Sequence, residues 1–286
     1  MNMKKILCLV LALVITIGCL AVCTKVEDEN ALAAKVIDIN LTEEEYAFGV
    51  DKKQPELLAS VNAFIKKIKE DGTLDEICNK YFGDGTPTAV TSAAEDSSKN
   101  QLVVATNAAF EPFEYKEGDK YLGIDMEIAA LLAEELGMEL VIKNMDFDAV
   151  CLSVGQQKCD IAMAGLTVKE DRKEHVNFSE SYYSASQKLI VKGADTTFDA
   201  CKTADDVVAI LNGFDAKTKV GVQNGTTGQF YCEGDADWGF DGYKMTVKGY
   251  KNGSLAVQDM INGNIDYVVI DSAPAACITA ALNEVA

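Results

Sequence analysis

From Leu102 onward, short apolar runs alternate with longer stretches of helical periodicity, and this alternation leaves few folds open. The runs fall near Leu102 to Thr106, Leu140 to Lys143, Ile161 to Ala164, Leu189 to Lys192, Val220 to Val222 and Tyr267 to Ile270. Helical spacing fills the gaps, most clearly over Asp125 to Leu136, Phe147 to Gln156 and Ser254 to Asn262. Strand, helix, strand in succession is the pattern of the βαβ unit, which lays strands parallel. The expected fold class is α/β, with mostly parallel sheets flanked by helices. Residues 193–219 carry one helical stretch and no core strand, which marks a change of domain after Lys192.

Upstream of this block the order of elements is unusual. "KVIDINL" and "EYAFGV" read as strands, and Pro55 opens a helix as a first-turn proline can. Leu57, Leu58, Val61, Phe64, Ile65 and Ile68 repeat at helical spacing, a face that something must cover. A second short helix runs from Leu74 to Phe82. Then "GDGTPTAVTSAAEDSSKN" turns small and polar, which predicts a flexible linker over 84–100. A domain usually ends that way, yet here the α/β block still follows.

The chain has 45 Asp and Glu against 26 Lys and Arg, a formal charge of -19, which repels nucleic-acid phosphates and anionic lipid. No nucleic-acid partner is expected. One histidine, His175, leaves little scope for histidine catalysis or a zinc site, and neither a metal nor a cofactor is implied. The opening "MNMKKILCLVLALVITIGCLAVC" places Lys4 and Lys5 before an apolar run from Ile6 to Cys23. It reads as a secretory signal over 1–23; an uncleaved anchor is the other reading, and both mean export. Cys23, with Leu20 three residues before it, resembles a bacterial lipoprotein attachment site; Cys19, preceded by Gly18, is the alternative. Residues 24–34 form a polar tether. Export permits disulfides, and Cys201 with Cys232 is the pair in loop-like surroundings. Cys151, Cys159 and Cys277 sit in apolar runs as small hydrophobes.

Four stretches together carry a family resemblance: "LVVATNAAFEPFEYKEGDKYLGIDMEIAALLAEELG", "MDFDAVCLSVGQQKCDIAMAGLTVKEDRKEHVNFSESYYSASQKLIV", "VGVQNGTTGQ" and "GNIDYVVIDSAPA". They resemble the substrate-binding proteins of bacterial polar amino acid ABC transporters, the family 3 type. The resemblance implies a two-lobe periplasmic-binding-protein-like fold whose lobes are joined by two hinge strands. In that family the last motif is followed by a short strand, an "EEYAFGV"-like hinge strand and two helices ending in a "YFG"-like sequence. Here those elements come first. The chain therefore reads as a circular permutant, which surface-lying domain termini make tolerable. The implied organisation puts 35–46 in lobe 2, 47–83 in lobe 1, the linker at 84–100, 101–190 in lobe 1 and 191–286 in lobe 2. Hinge crossings are expected near Glu45 to Gly49 and Lys188 to Lys192.

A free amino acid offers a carboxylate, an ammonium and a side chain. Arg172, in "AGLTVKEDR", matches the family's carboxylate clamp, and a guanidinium suits that task through two parallel charge-assisted bonds. The resemblance gives Gly165 and Thr167 contacts to ammonium and carboxylate, and makes Thr226 and Thr227 of "NGTTG" the second lobe's carboxylate contacts. Asp271, at the end of "YVVID", holds the ammonium, or else caps the helix that follows. Phe110 and Phe147 would sandwich the ligand side chain. Asn107 and Gln223 would read its polarity; both are neutral, which favours glutamine or another small polar amino acid over a strongly cationic one. The expected protein is a monomeric extracytoplasmic receptor, anchored by lipid or free in the periplasm or medium. It binds a free L-amino acid and presents it to an ABC transporter permease, with no bond made or broken. Three alternatives stand beside this: a dehydratase-like enzyme on the same fold using Glu111 or Glu114 as general acid, a ligand-sensing module, and a degenerate product whose displaced part does not pack.

Overall fold

The computed structural model describes residues 32–284. The signal segment, most of the tether and both candidate lipidation cysteines, Cys19 and Cys23, lie outside the described residues.

Walking the chain, β1 (Ala34–Ile37), β2 (Glu44–Tyr46) and β3 (Gly49–Asp51) come first. They lead to α1 (Pro55–Glu70), opened by its first-turn proline, and α2 (Thr73–Phe82). The apolar face of α1 is covered as its spacing required: Val61, Phe64, Ile65 and Ile68 are buried, Leu57 and Leu58 half-buried. Next come β4 (Gln101–Thr106), the hairpin β5 (Tyr115–Glu117) and β6 (Lys120–Leu122), α3 (Ile124–Glu135) and β7 (Glu139–Asn144). A single tight turn at Phe147–Ala149 opens α4 (Val150–Gly155), followed by β8 (Ile161–Ala162) and β9 (Val176–Phe178). The chain then passes through β10 (Tyr183–Ala185) into β11 (Gln187–Lys192), α5 (Ala204–Leu211), β12 (Lys219–Gln223) and α6 (Thr227–Glu233). It closes with β13 (Thr246–Tyr250), α7 (Gly253–Ile261), β14 (Tyr267–Asp271) and α8 (Ser272–Glu284).

These strands build two five-stranded sheets, one per lobe, in the orders β7-β4-β8-β3-β9 and β1-β11-β14-β12-β13. All strands in a sheet point one way except one, β3 in the first and β11 in the second. The parallel neighbours are linked by helical crossovers, as parallel pairing requires. The two reversed strands arrive differently. Each follows directly on a hinge strand, β2 before β3 and β10 before β11, and β2 and β10 pair antiparallel with Glu44 opposite Ala185 and Tyr46 opposite Tyr183. The crossings are therefore at 44–46 and 183–185. Lys188 to Lys192, expected to cross, lies inside the second sheet, where Ile190 pairs with Val36 and Val268. Apolar character alone could not separate a short hinge strand from the core strand it feeds.

Residues 84–100, expected to be a flexible linker, are instead a bonded strap. Thr88 N–H donates to Glu127 (2.7 Å), and Val90 exchanges two backbone bonds with Tyr121 (2.7 and 2.9 Å). Along the outer edge of β7, the Ser92 hydroxyl accepts from Ile142 N–H (2.8 Å), Ala93 N–H donates to the Leu140 carbonyl (2.8 Å), and Glu95 pairs with Lys143. The strap satisfies backbone groups that an edge strand would otherwise present to other chains. It needs one buried apolar side chain, Val90, which packs with Ala108, Tyr121, Met126 and Ile142. In the second lobe Asn283 accepts from the N–H groups of Ala33 and Ala34 (2.8 and 3.2 Å) and donates to the Ala34 carbonyl (2.9 Å). The start of β1 and the end of α8 are thus held side by side.

Candidate functional site

Period-two alternation in β2 turns Glu44 and Tyr46 to one side, where both are buried, and leaves Glu45 exposed. That pair organises the seam between the lobes. The Tyr46 hydroxyl donates to Asp271 at the end of β14 (2.5 Å). Glu44 accepts from the Thr167 hydroxyl with one oxygen (2.7 Å), and from Thr42 (2.6 Å) and the Gln187 amide (3.0 Å) with the other. Burial, then repulsion from Glu44, pushes the Asp271 carboxyl up to about 7 against the pull of its bonds from Tyr46 and Gln187.

After β8, Gly165 turns at φ +52°, and a β-carbon there would meet the Phe110 ring at 2.9 Å and the Tyr46 ring at 3.3 Å. Only glycine takes that turn at that distance without displacing a ring. Its N–H donates to Asp125 (2.9 Å), which also accepts from the Tyr182 hydroxyl (2.5 Å). Burial nevertheless raises Asp125 to about 7. Seven residues on, Arg172 is buried with its guanidinium 5.3 Å from the centre of the Phe147 ring. It donates to the Thr167 carbonyl (2.6 Å) and, across the seam, to the Gly225 carbonyl (3.0 Å). A second contact between lobes joins the Gln223 amide to Asn107 (3.0 Å), whose own amide donates to the Met145 carbonyl (2.7 Å). The Thr226 hydroxyl donates to the Gln223 carbonyl (2.8 Å), and Thr227 is buried at the start of α6.

The residues singled out in the sequence thus gather along one seam, but several bond to each other in ways the sequence did not foretell. The Thr167 hydroxyl is spent on Glu44, because a buried carboxylate needs donors. Phe110 and Phe147 line separate cavities rather than one sandwich. Phe110 borders about 410 Å³ with Tyr115, Pro274 and Cys277; Phe147 borders about 280 Å³ with Arg172, His175 and Phe230. Glu44, Tyr46, Asp125 and Gln187 were missed. The Glu44–Tyr46 alternation in "EEEYAF", and an acid inside the apolar run "GIDMEIAALL", were the available signals. Glu114 is completely buried, and neither carboxyl oxygen finds a partner among the described residues; burial and the nearby Asp125 and Asp271 hold it well above the usual carboxylate range. The Gln187 and Gln223 amide oxygens likewise lack partners. Cys201 and Cys232 are both free thiols, so that bond is not formed; Cys232 is fully buried and packs as a hydrophobe beside Val222 and Tyr231.

Chemically, the seam offers a guanidinium, a buried carboxyl and uncommitted amide oxygens. Among the described residues no helix is long and apolar enough to cross a membrane. The arginine-binding extracellular protein ArtP of Bacillus subtilis is 33% identical over 141 residues, 49% of this chain and 51% of that protein. The arginine-binding periplasmic protein of Mannheimia haemolytica is 30% identical over 183 residues, 64% and 65% of the two chains. The chain thus spans about half to two thirds of the length of these curated relatives. Among solved structures, an ancestral arginine-binding protein bound to glutamine matches with TM-score 0.53 and 34% identity over 64% of this chain and 74% of that one. The ancestral amino acid-binding protein AncCDT-1, a precursor of cyclohexadienyl dehydratase, matches with TM-score 0.53 and 30% identity over 73% and 78%. The profile of the bacterial extracellular solute-binding proteins, family 3, covers residues 9–84 and 102–271, stopping and resuming on either side of the strap. With two α/β lobes, paired hinge strands and a polar seam between them, the chain belongs to the bacterial extracellular solute-binding proteins of family 3.

Proposed function

We propose that this protein is an extracytoplasmic receptor that closes its lobes on a free polar L-amino acid and delivers it to an ABC transporter permease, without making or breaking a bond. The observation that carries this reading is that a buried guanidinium, Arg172, and a buried carboxyl, Asp271, both lie on the hinge-centred seam. A zwitterion needs both charges answered at once, and Arg172 commits two of its five N–H donors to backbone carbonyls, leaving three for a carboxylate. Asp271 accepts from a neutral hydroxyl and has room in charge for an ammonium. Contacts from both lobes coexist only when the lobes are closed, so binding favours closure. Relatives named for arginine, cystine and histidine binding support the amino acid class. Neutral Asn107 and Gln223, with an unpartnered oxygen on Gln223, favour a ligand whose side chain donates hydrogen bonds without a strong charge. Gly165, Thr167, Thr226 and Thr227 complete the site, Phe110 and Phe147 border it from separate cavities, and Cys23, or Cys19, carries the lipid. Calorimetry against the twenty amino acids tests the reading: one should bind at micromolar level or tighter and be recovered unchanged. Conversion of an added cyclic acid would favour the dehydratase reading, with Glu114 as its acid.

The same proposal includes the circular permutation. The bonds of Asn283 to Ala33 and Ala34, the seating of β1 at the edge of one sheet and of β3 inside the other, both sheets otherwise built from residues after 100, and the interruption of the family profile at the strap all support it. Moving residues 35–83 to follow Ala286, with the chain starting near Asn100, should preserve fold, ligand and affinity. A soluble, ligand-binding protein made from 100–286 alone would overturn it, because β1 and β3 would then be dispensable.

A further inference from the structure

The loop that carries Arg172 holds a second cation that the amino acid site does not use. Lys169 is only 3% exposed along its side chain, an unusual place for a lysine. Its ammonium lies 2.9 Å from Asp171 in its own loop, 2.9 Å from Asp235 in the other lobe, and 4.5 Å from the centre of the Phe230 ring. Phe230 lies on α6, and Asp235 lies just beyond its end. Lobe 1 therefore grips one short helix of lobe 2 at both ends, through Arg172 on Gly225 before its first turn and through Lys169 on Asp235 after its last. Each partner is set in advance. Val168 N–H donates to the Glu45 carbonyl (3.1 Å), which ties the Lys169 loop to the hinge strand. Asp235 accepts from the N–H groups of Asp237 (3.0 Å) and Trp238 (3.3 Å), which fixes its carboxylate in a turn.

We propose that Lys169, Asp235 and Phe230 form a closing latch, so that Lys169 is a positioning residue that sets how long a bound amino acid is held without touching it. The proposal rests on the receptor reading above. Asp171 explains why the latch can open readily: it is half exposed and stays with Lys169 when the lobes part, so the ammonium always has a carboxylate and need never be stranded. What closure adds is the second carboxylate, 15% exposed, and the half-buried ring face, a setting less solvated than the open surface, where charge pairing and cation–π attraction are stronger. Among the described residues, the other ion pair across the seam, Lys251 with Asp146, is 71% and 61% exposed and adds little by comparison. A contact made late, in the closed state, slows opening more than it speeds encounter.

The test uses the mature protein with L-glutamine and L-arginine as probes, in stopped-flow binding and small-angle scattering. Lys169→Met keeps the aliphatic stem and removes the charge; Asp235→Asn keeps the turn bonds. Each should raise the dissociation rate about tenfold, which is about 1.4 kcal/mol, with the association rate changed less than about twofold. The double variant should add little to either single one, since both remove the same contact. Without amino acid, both variants should scatter as a more open molecule than the wild type. Lys169→Arg, which keeps charge and ring contact, should restore most of the slow dissociation. Wild-type dissociation and scattering in both single variants would overturn the latch. If the wild type bound neither probe, the receptor reading would fail for these amino acids, and the scattering comparison would still decide the latch.

Discussion

Raising the pH from about 4 to about 7 should destabilise the ligand-free protein, and binding should reverse the effect at Asp271. This carboxyl, ordinarily titrating near 3.8, is held at about 7 by burial and by Glu44, and Asp125 is held at about 7 by burial. Between those values the folded chain keeps protons that the unfolded chain has already released. Each group's contribution is therefore complete below about pH 4 and gone above about pH 7. The span from 3.8 to about 7 is roughly three pH units, so each carboxyl is worth on the order of 4 kcal/mol, a large part of a typical margin of about 5 to 15. An ammonium placed on Asp271 favours its ionised form and returns the pKa toward ordinary values. Binding should then release a proton at pH 6 and progressively less as the pH rises past about 7, and affinity should weaken as the pH falls below about 7. Calorimetry in buffers of different ionisation enthalpy reads the protons directly. Urea unfolding of the ligand-free wild type and Asp271→Asn between pH 5 and 8 reads the stability, where the variant should lose about one proton's worth of slope. Binding without proton release at pH 6, together with an unchanged slope in Asp271→Asn, would refute the argument.

Three further outcomes follow from other parts of the structure. Arg172→Ala should weaken amino acid binding by roughly 2 to 5 kcal/mol, measured by calorimetry, while the circular dichroism spectrum is kept. Glu114→Gln should match wild-type unfolding stability near pH 4, where the carboxyl is neutral in both the folded and the unfolded chain, and should become increasingly the more stable of the two in urea unfolding as the pH rises toward 7, because only the native carboxyl is held neutral there. Val90→Ala should cost roughly 2 kcal/mol in denaturant unfolding, because Val90 is buried against Tyr121, Met126 and Ile142; a strap that merely hung between its ends would show no change.

Periodicity is a local property, and what it marks is what the sequence by itself determined: the six core strands, the buried stripe of α1 and the crossover helices. The family resemblance likewise brought Gly165, Thr167, Arg172, Gln223 and Asp271 into view, each at or beyond the end of a strand recognisable from its neighbours. Edge and hinge elements were not legible. β13 reads "TVKGY", with no apolar run, because it is an edge strand that packs only Val247 and Tyr250 against the core, and β2 and β10 are three residues each. The tertiary structure alone decided that residues 84–100 bind the edge of β7, since their backbone groups carry no mark of the partner that will satisfy them. It alone placed Glu44 and Tyr46 against Thr167 and Asp271, and Lys169 against Asp235, pairs separated by between 66 and 225 residues in the chain. An acid or a lysine reads as solvated surface until the fold brings a distant partner to it, because burial and pairing are properties of the assembled seam and not of the residue.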